Sequence, residues 1–181
     1  MPKSMNNAVS ADLAKTLRNI AEKVDWAERS LARLEEAAIQ KDAVAVQDHF
    51  WSFLHALQLM WFYIERYFSS IGSSGGSSKT FVQNWITNTL DTDEQLLWRS
   101  INELRTSDVH VGPVVTEEKT EAQLLARDGK LLIRDGKLLA RTRTQYVVTI
   151  QGSAYECQEI ARRWISLARR MVEYFKHNAP K

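Results

Sequence analysis

The sequence predicts a mainly α fold: a four-helix bundle of up-down type with a short extra helix and a small inserted antiparallel β-meander. Three observations predict it. Apolar residues alternate spacings of four and three from Leu13 to Ala38, and again from Cys157 to the Tyr174–Phe175 pair, which is the stripe an amphipathic helix buries. Residues 50 to 68 are apolar over most of a helical circumference, as in a helix covered on several sides. Asp-Gly recurs between short apolar runs, in Arg127-Asp128-Gly129-Lys130-Leu131-Leu132 and Arg134-Asp135-Gly136-Lys137-Leu138-Leu139. That dipeptide favours the type I′ turn of a tight hairpin.

A chain of 181 residues suits one domain. The expected organisation is a flexible N-terminal arm over 1–9 and a single helical domain over 10–181, with a β insertion at about 114–150. With 44% hydrophobic and 25% charged residues, the chain can bury a core and stay in solution. A net charge of +2 does not identify a nucleic-acid binder, so the distribution of charge carries the information. Cys157 is the only cysteine, which excludes an intramolecular disulfide and points to a reducing, cytoplasmic compartment. Met1 to Asn7 lack the apolar core of a secretory signal. The most apolar run, Phe50 to Ile64, is interrupted by Ser52, His55 and Gln58, so no membrane span is expected.

The first helix follows Ser10-Ala11-Asp12, which supplies its cap. Its apolar stripe is Leu13, Leu17, Ile20, Val24, Ala27, Leu31, Leu34 and Ala38, and residues such as Glu28 and Glu35 form a solvated face. The chain turns at Lys41-Asp42, and a second helix runs from about Ala43 to Phe68. Its aromatic excess is difficult to cover with four helices, which favours a homodimer. Ile71 to Ser78 form a Gly/Ser linker without the Gly-Lys-Ser/Thr of a phosphate-binding loop. A short helix from Thr80 to about Leu90 follows. Asp91-Thr92-Asp93-Glu94 then caps a helix whose core face is Leu97, Trp98, Ile101 and Leu104. The meander occupies about Gln123 to Ile150, and Gln151-Gly152-Ser153 caps a final helix from Ala154 to about His177.

Few residues carry candidate chemistry. His49 and His55 are six apart, on different faces of the second helix, and do not form a metal pair. No cluster of metal ligands stands out, so no cofactor is expected. Cys157 lies on the apolar stripe, where a thiol acts as a small hydrophobe. Arg162, Arg163, Arg169 and Arg170 make the opposite face of the last helix basic; they read as a solvated face or as an RNA-contacting surface. Basic residues also crowd the meander at 127, 130, 134, 137, 141 and 143, against Asp128 and Asp135. Edge-strand cations that discourage aggregation explain these slightly better than a nucleic-acid surface does.

The remaining feature is Leu104-Arg105-Thr106-Ser107-Asp108-Val109-His110, which ends shortly before the helix-stopping Gly112-Pro113. This Arg-x4-His spacing, in a helical context, resembles the signature of the HEPN superfamily. The resemblance covers about 10 to 177, with the meander between the motif and the last helix. It implies a helical bundle, often dimeric, that cleaves RNA without metal, as in a toxin or defence-type ribonuclease. His110 would move the proton of the 2′-hydroxyl, and Arg105 would stabilise the charged phosphate, leaving a 2′,3′-cyclic phosphate. Asp108 would orient one of the two. Thr106 fills a position that the family often gives to Asn or Asp, and Gly112 one that some branches give to Tyr. Arg170, with six residues before His177, also fits the family's spacing of four to six.

Residues five apart on a straight helix point about 140° from each other. Arg105 and His110 therefore need an unwound last turn or a site completed by a second subunit. The competing reading is a non-catalytic helical interaction or regulatory module, such as an inactive relative or an antitoxin-like protein partner. The aromatic second helix and Thr106 favour it.

Overall fold

The computed structural model describes residues 3–72, 77–100, 116–124, 126–127, 130–131, 133–134, 137–138, 140–150 and 153–180. Its architecture is the predicted one: a mainly helical bundle with a short extra helix and a three-stranded antiparallel β-meander.

Helix α1 spans Lys3–Gln40. It begins ahead of the expected Ser10 cap, so residues 3–9, read from sequence as part of an arm, are helical. The spaced apolar residues face inward, with Ile20, Ala27 and Leu34 fully enclosed. At its C-terminus the Lys41 N–H donates to the Ala38 carbonyl at 3.3 Å, and the Asp42 N–H to the Ala37 carbonyl at 3.0 Å. These are the two bonds of a Schellman motif. Its left-handed residue is Lys41, at φ 58°, where glycine is the usual occupant.

Helix α2, Ala43–Ile71, starts at once. Asp42 caps it by accepting the Ala45 N–H at 3.0 Å. One residue thus closes α1 and opens α2, folding the pair into a tight hairpin. The Trp26 indole N–H donates to Ser52 Oγ at 3.1 Å, and the Ser30 and Ser52 hydroxyls meet at 3.0 Å, which ties the two helices at mid-length.

Helix α3 is Ser78–Thr89, capped by Ser77, whose hydroxyl accepts the Thr80 N–H at 3.1 Å. Helix α4 occupies 92–100. Strands β1 (Glu117–Leu124) and β6 (Ala140–Ile150) pair antiparallel, from Glu117 opposite Val147 to Leu124 opposite Ala140. Between them lie two short hairpins: β2 (Ala126–Arg127) with β3 (Lys130–Leu131), and β4 (Ile133–Arg134) with β5 (Lys137–Leu138). Each pairs around two residues, as the Asp-Gly signals predict; the turn residues lie outside the described set.

The final helix, α5, is Cys157–Asn178. The sequence reading began it at Ala154, and that boundary is corrected. Ser153–Glu156 forms β7, pairing with β6 from Ile150 opposite Ser153 to Val147 opposite Glu156. The Gln151-Gly152 pair, read as a helix cap, separates two paired strands instead. A glycine there signals a hairpin as well as it signals a cap.

Aromatic rings join the elements. Trp164 on α5 stacks on Phe50 and Phe53 of α2, with centroids at 6.2 and 6.4 Å. Phe175 meets Tyr67 edge-on at 5.3 Å, and Phe81 of α3 packs on Phe68 at 5.1 Å. Tyr146, Val148 and Ile150 bring β6 into the same core. Among the described residues no helix is long and apolar enough to cross a membrane.

Candidate functional site

The sequence-predicted catalytic segment follows α4, so the anchoring of that helix bears on it. Its N-terminus is a reciprocal capping box: the Glu94 N–H donates to Asp91 Oδ1 at 2.8 Å, and the Asp91 N–H to Glu94 Oε2 at 3.1 Å. Arg170 on α5 reaches the same corner, donating to the Glu94 carboxylate and the Thr89 carbonyl. In the body of α4, Trp98 meets Trp85 edge-on at 4.7 Å and Trp61 at 6.0 Å. The Trp164 indole N–H donates to the Leu97 carbonyl at 3.2 Å. Arg105, Thr106, Asp108 and His110 lie outside the described residues, as do Ile101 and Leu104 of the expected core face.

The arginines of α5 are described, and most are engaged. Arg162 binds Glu35 at 2.6 Å, and Arg169 binds Glu28 at 2.6 Å, both on α1. As the α5 number rises by seven the α1 number falls by seven, so the helices run antiparallel with matched charges one heptad apart. Sequence reading placed Glu28 and Glu35 on a face without function. The signal that could have found these pairs was the shared seven-residue interval of opposite charges. A phosphate at Arg162, Arg169 or Arg170 would meet a cation whose charge a carboxylate already balances.

Arg163 differs from its neighbours. No ion pair holds it among the described residues, and it lines a cleft of about 270 Å³ with Asp93, Ser100, Ser153 and Tyr155 over Leu97 and Ile150. No local sequence signal points to this cleft, because it forms only where α4, the β6–β7 hairpin and α5 converge.

Arg170 and His177 stand seven apart and so share one face of α5. Both line a shallow groove of about 460 Å³ with Trp85, Thr89, Glu173 and Tyr174. His177 Nε2 lies 3.6 Å from Glu173 Oε2. With its guanidinium committed to Glu94 and Thr89, Arg170 acts here as the clamp between α5 and the α3–α4 corner.

Cys157 is enclosed in the core, and burial pushes its thiol up to about 12. It is not a nucleophile at neutral pH. His55 packs edge-on against Trp26 at 5.8 Å. Among the described residues no group of three His, Cys, Asp or Glu could hold a metal ion.

Ten residues of α2 are buried within one chain, so most of its apolar circumference needs no second subunit. What remains is a stripe. Val44, Trp51 and Phe62 are 72%, 39% and 51% exposed. Intervals of seven and eleven place all three on one face.

Compared with protein-family models, curated proteins and solved structures, the chain matches none.

Proposed function

We propose that the protein is a HEPN-like, metal-independent endoribonuclease of a reducing compartment, acting through Arg105 and His110. The observation that supports this reading is the set of contacts that anchor the helix preceding the motif in sequence. Capping box, Arg170 clamp and three-tryptophan contact all fix α4, and a catalytic pair performs best when issued from an immobile element. In this reading His110 takes the 2′-hydroxyl proton and later returns one to the leaving 5′-oxygen, while Arg105 neutralises the charge gathering on phosphate. Asp108 orients one of the two, and Thr106 takes the position beside the arginine.

The homodimer belongs to the same proposal. Its contact would be the α2 stripe of Val44, Trp51 and Phe62, and a second subunit would complete the Arg/His site.

The test is one experiment with three proteins: wild type, His110→Ala and Phe62→Glu, incubated with mixed RNA in EDTA. Wild type should cut, with a pH dependence near the ordinary histidine range. His110→Ala should lose roughly 10²- to 10⁴-fold. Phe62→Glu should sediment as a monomer and lose cleavage. Equal cutting by wild type and His110→Ala, or none by either, rejects the ribonuclease.

The second reading is a non-catalytic interaction module. Ion pairing of Arg162, Arg169 and Arg170 with Glu35, Glu28 and Glu94 favours it, because it balances part of the positive charge that an RNA-facing surface would use.

A further inference from the structure

Between Val44 and Phe62 the exposed residues of α2 are Val44, Asp48, Trp51, His55 and Phe62, and half-buried Gln58 fills the one long gap. With Gln58 included, the spacings run four, three, four, three and four. Helical geometry accounts for those intervals, because any narrow uncovered stripe recurs every three to four residues. It does not account for the chemistry, whose order is complementary about the level of Phe53. Val44 and Phe62 lie nine residues to either side of Phe53, Asp48 and Gln58 five, and Trp51 and His55 two. Lys41 and Glu65, exposed and of opposite charge, lie twelve to either side.

The centre of the stripe also has a shape. A shallow groove of about 550 Å³ lies there, lined by Gln47, Asp48, Trp51, Ser52 and His55. Helix α1 braces it: the Trp26 indole N–H donates to Ser52 Oγ at 3.1 Å, and the His55 ring packs edge-on against Trp26 at 5.8 Å. Trp51, 39% exposed, stands at the same level. An exposed indole beside a braced hollow, both close to one centre, makes a surface that fits a copy of itself.

We propose that α2 pairs with α2 of a second copy in antiparallel order, about a two-fold axis at the level of Phe53. Trp51 then meets the partner's His55 and enters the partner subunit's groove. Asp48 accepts a hydrogen bond from the partner's Gln58, and Val44 packs on the partner's Phe62. At the rim Lys41 faces the partner's Glu65. Each contact occurs twice, as a two-fold axis requires. Parallel pairing in register would instead set the two Asp48 carboxylates against each other, so charge selects the antiparallel order. The pairing rests on the dimer proposed above, but not on the cleavage of RNA.

The experiment is disulfide cross-linking of the full chain with copper phenanthroline. Affinity-tagged Asp48→Cys is mixed with untagged Gln58→Cys and left to exchange subunits. A disulfide needs Cα atoms within about 7 Å. In the antiparallel pair the two copies of residue 48 lie roughly 15 Å apart along the helix axes, as do the two copies of residue 58. The mixture should therefore cross-link, and neither variant should do so alone. Wild type is the control, since its Cys157 is enclosed. Trp51→Ala should raise the dissociation constant measured by sedimentation at least about thirtyfold, as for an anchor at the centre of an interface. Circular dichroism establishes that it is folded; should it unfold, the cross-linking decides alone. Self-cross-linking of Asp48→Cys overturns the antiparallel order. Undiminished dimerisation of folded Trp51→Ala overturns the contact. A monomeric wild type, with no cross-linking of the mixture, overturns the pairing and leaves the stripe to a different protein. Cross-linking of the mixture, without RNA cleavage by wild type, upholds the pairing and rejects the nuclease. Cleavage by a wild type that stays monomeric does the reverse.

Discussion

Arg169 on α5 and Glu28 on α1 meet at 2.6 Å, one heptad from the equivalent contact of Arg162 with Glu35. The pairs span the seam between two antiparallel helices, outside the aromatic core. Arg162 and Arg169 keep more than half of their side-chain surface in solvent. Water therefore screens both pairs, and their energetic weight is small.

The first prediction concerns that weight. Arg169→Ala and Glu28→Ala should each destabilise by less than about 1 kcal/mol, with a coupling of about 0.2–1 kcal/mol in a double-mutant cycle. Urea unfolding at two salt concentrations measures it. High salt should reduce the coupling. A salt-independent coupling of several kcal/mol would mean that the seam is drier than its exposure indicates.

The second prediction is a stabilising one. Lys41 holds a left-handed conformation that costs a side-chain-bearing residue about 1–2 kcal/mol. Glycine avoids that strain but gives the unfolded chain more freedom to lose. Lys41→Gly should therefore raise stability by roughly 0.5–1 kcal/mol, seen as a higher urea midpoint with an unchanged slope. Lys41→Val should lower it, since a β-branched residue resists positive φ most.

The third prediction concerns Cys157. Burial, then the nearby Glu156 carboxylate, push its thiol from 9.0 to about 12. In the folded protein iodoacetamide at pH 8 should fail to modify it, and in guanidinium it should react at the rate of a free thiol. Below pH 9 both states keep the proton. Between pH 9 and about 12 only the unfolded state releases it, so stability falls as pH rises through that window. Cys157→Ala should flatten part of that fall, measured by denaturant titration at several alkaline pH values.

The helices were legible because their evidence is local and repeated. Leu13 to Ala38 state a helix many times over, and Asp42 and Asp91 cap where their side chains suggest. The extension of α1 back to Lys3 was not legible, since Lys3 to Asn7 have no apolar period. Ser153–Glu156 looked like a helix start because Gly152-Ser153 suits a cap; pairing back onto the adjacent Val147 to Ile150 makes it a strand. The Arg163 cleft and the Trp61–Trp98–Trp85 contact depend on residues brought together by packing, which no window of sequence contains. Arg105 and His110 were legible only as a spacing.

Asp42 is the last residue of one cap and the first of the next, so the α1–α2 corner contains no slack. A single inserted glycine there would separate the Asp42 N–H from Ala37 or its carboxylate from Ala45, breaking one cap whichever side it fell. Neither helix can fray at that end without exposing the other's terminal amides. In hydrogen exchange the amides of Asp42 and Ala45 should therefore open together, at one free energy, as parts of a single cooperative unit. The corner is a joint that transmits unfolding, and it is the wrong place for a hinge, a tag or a circular permutation.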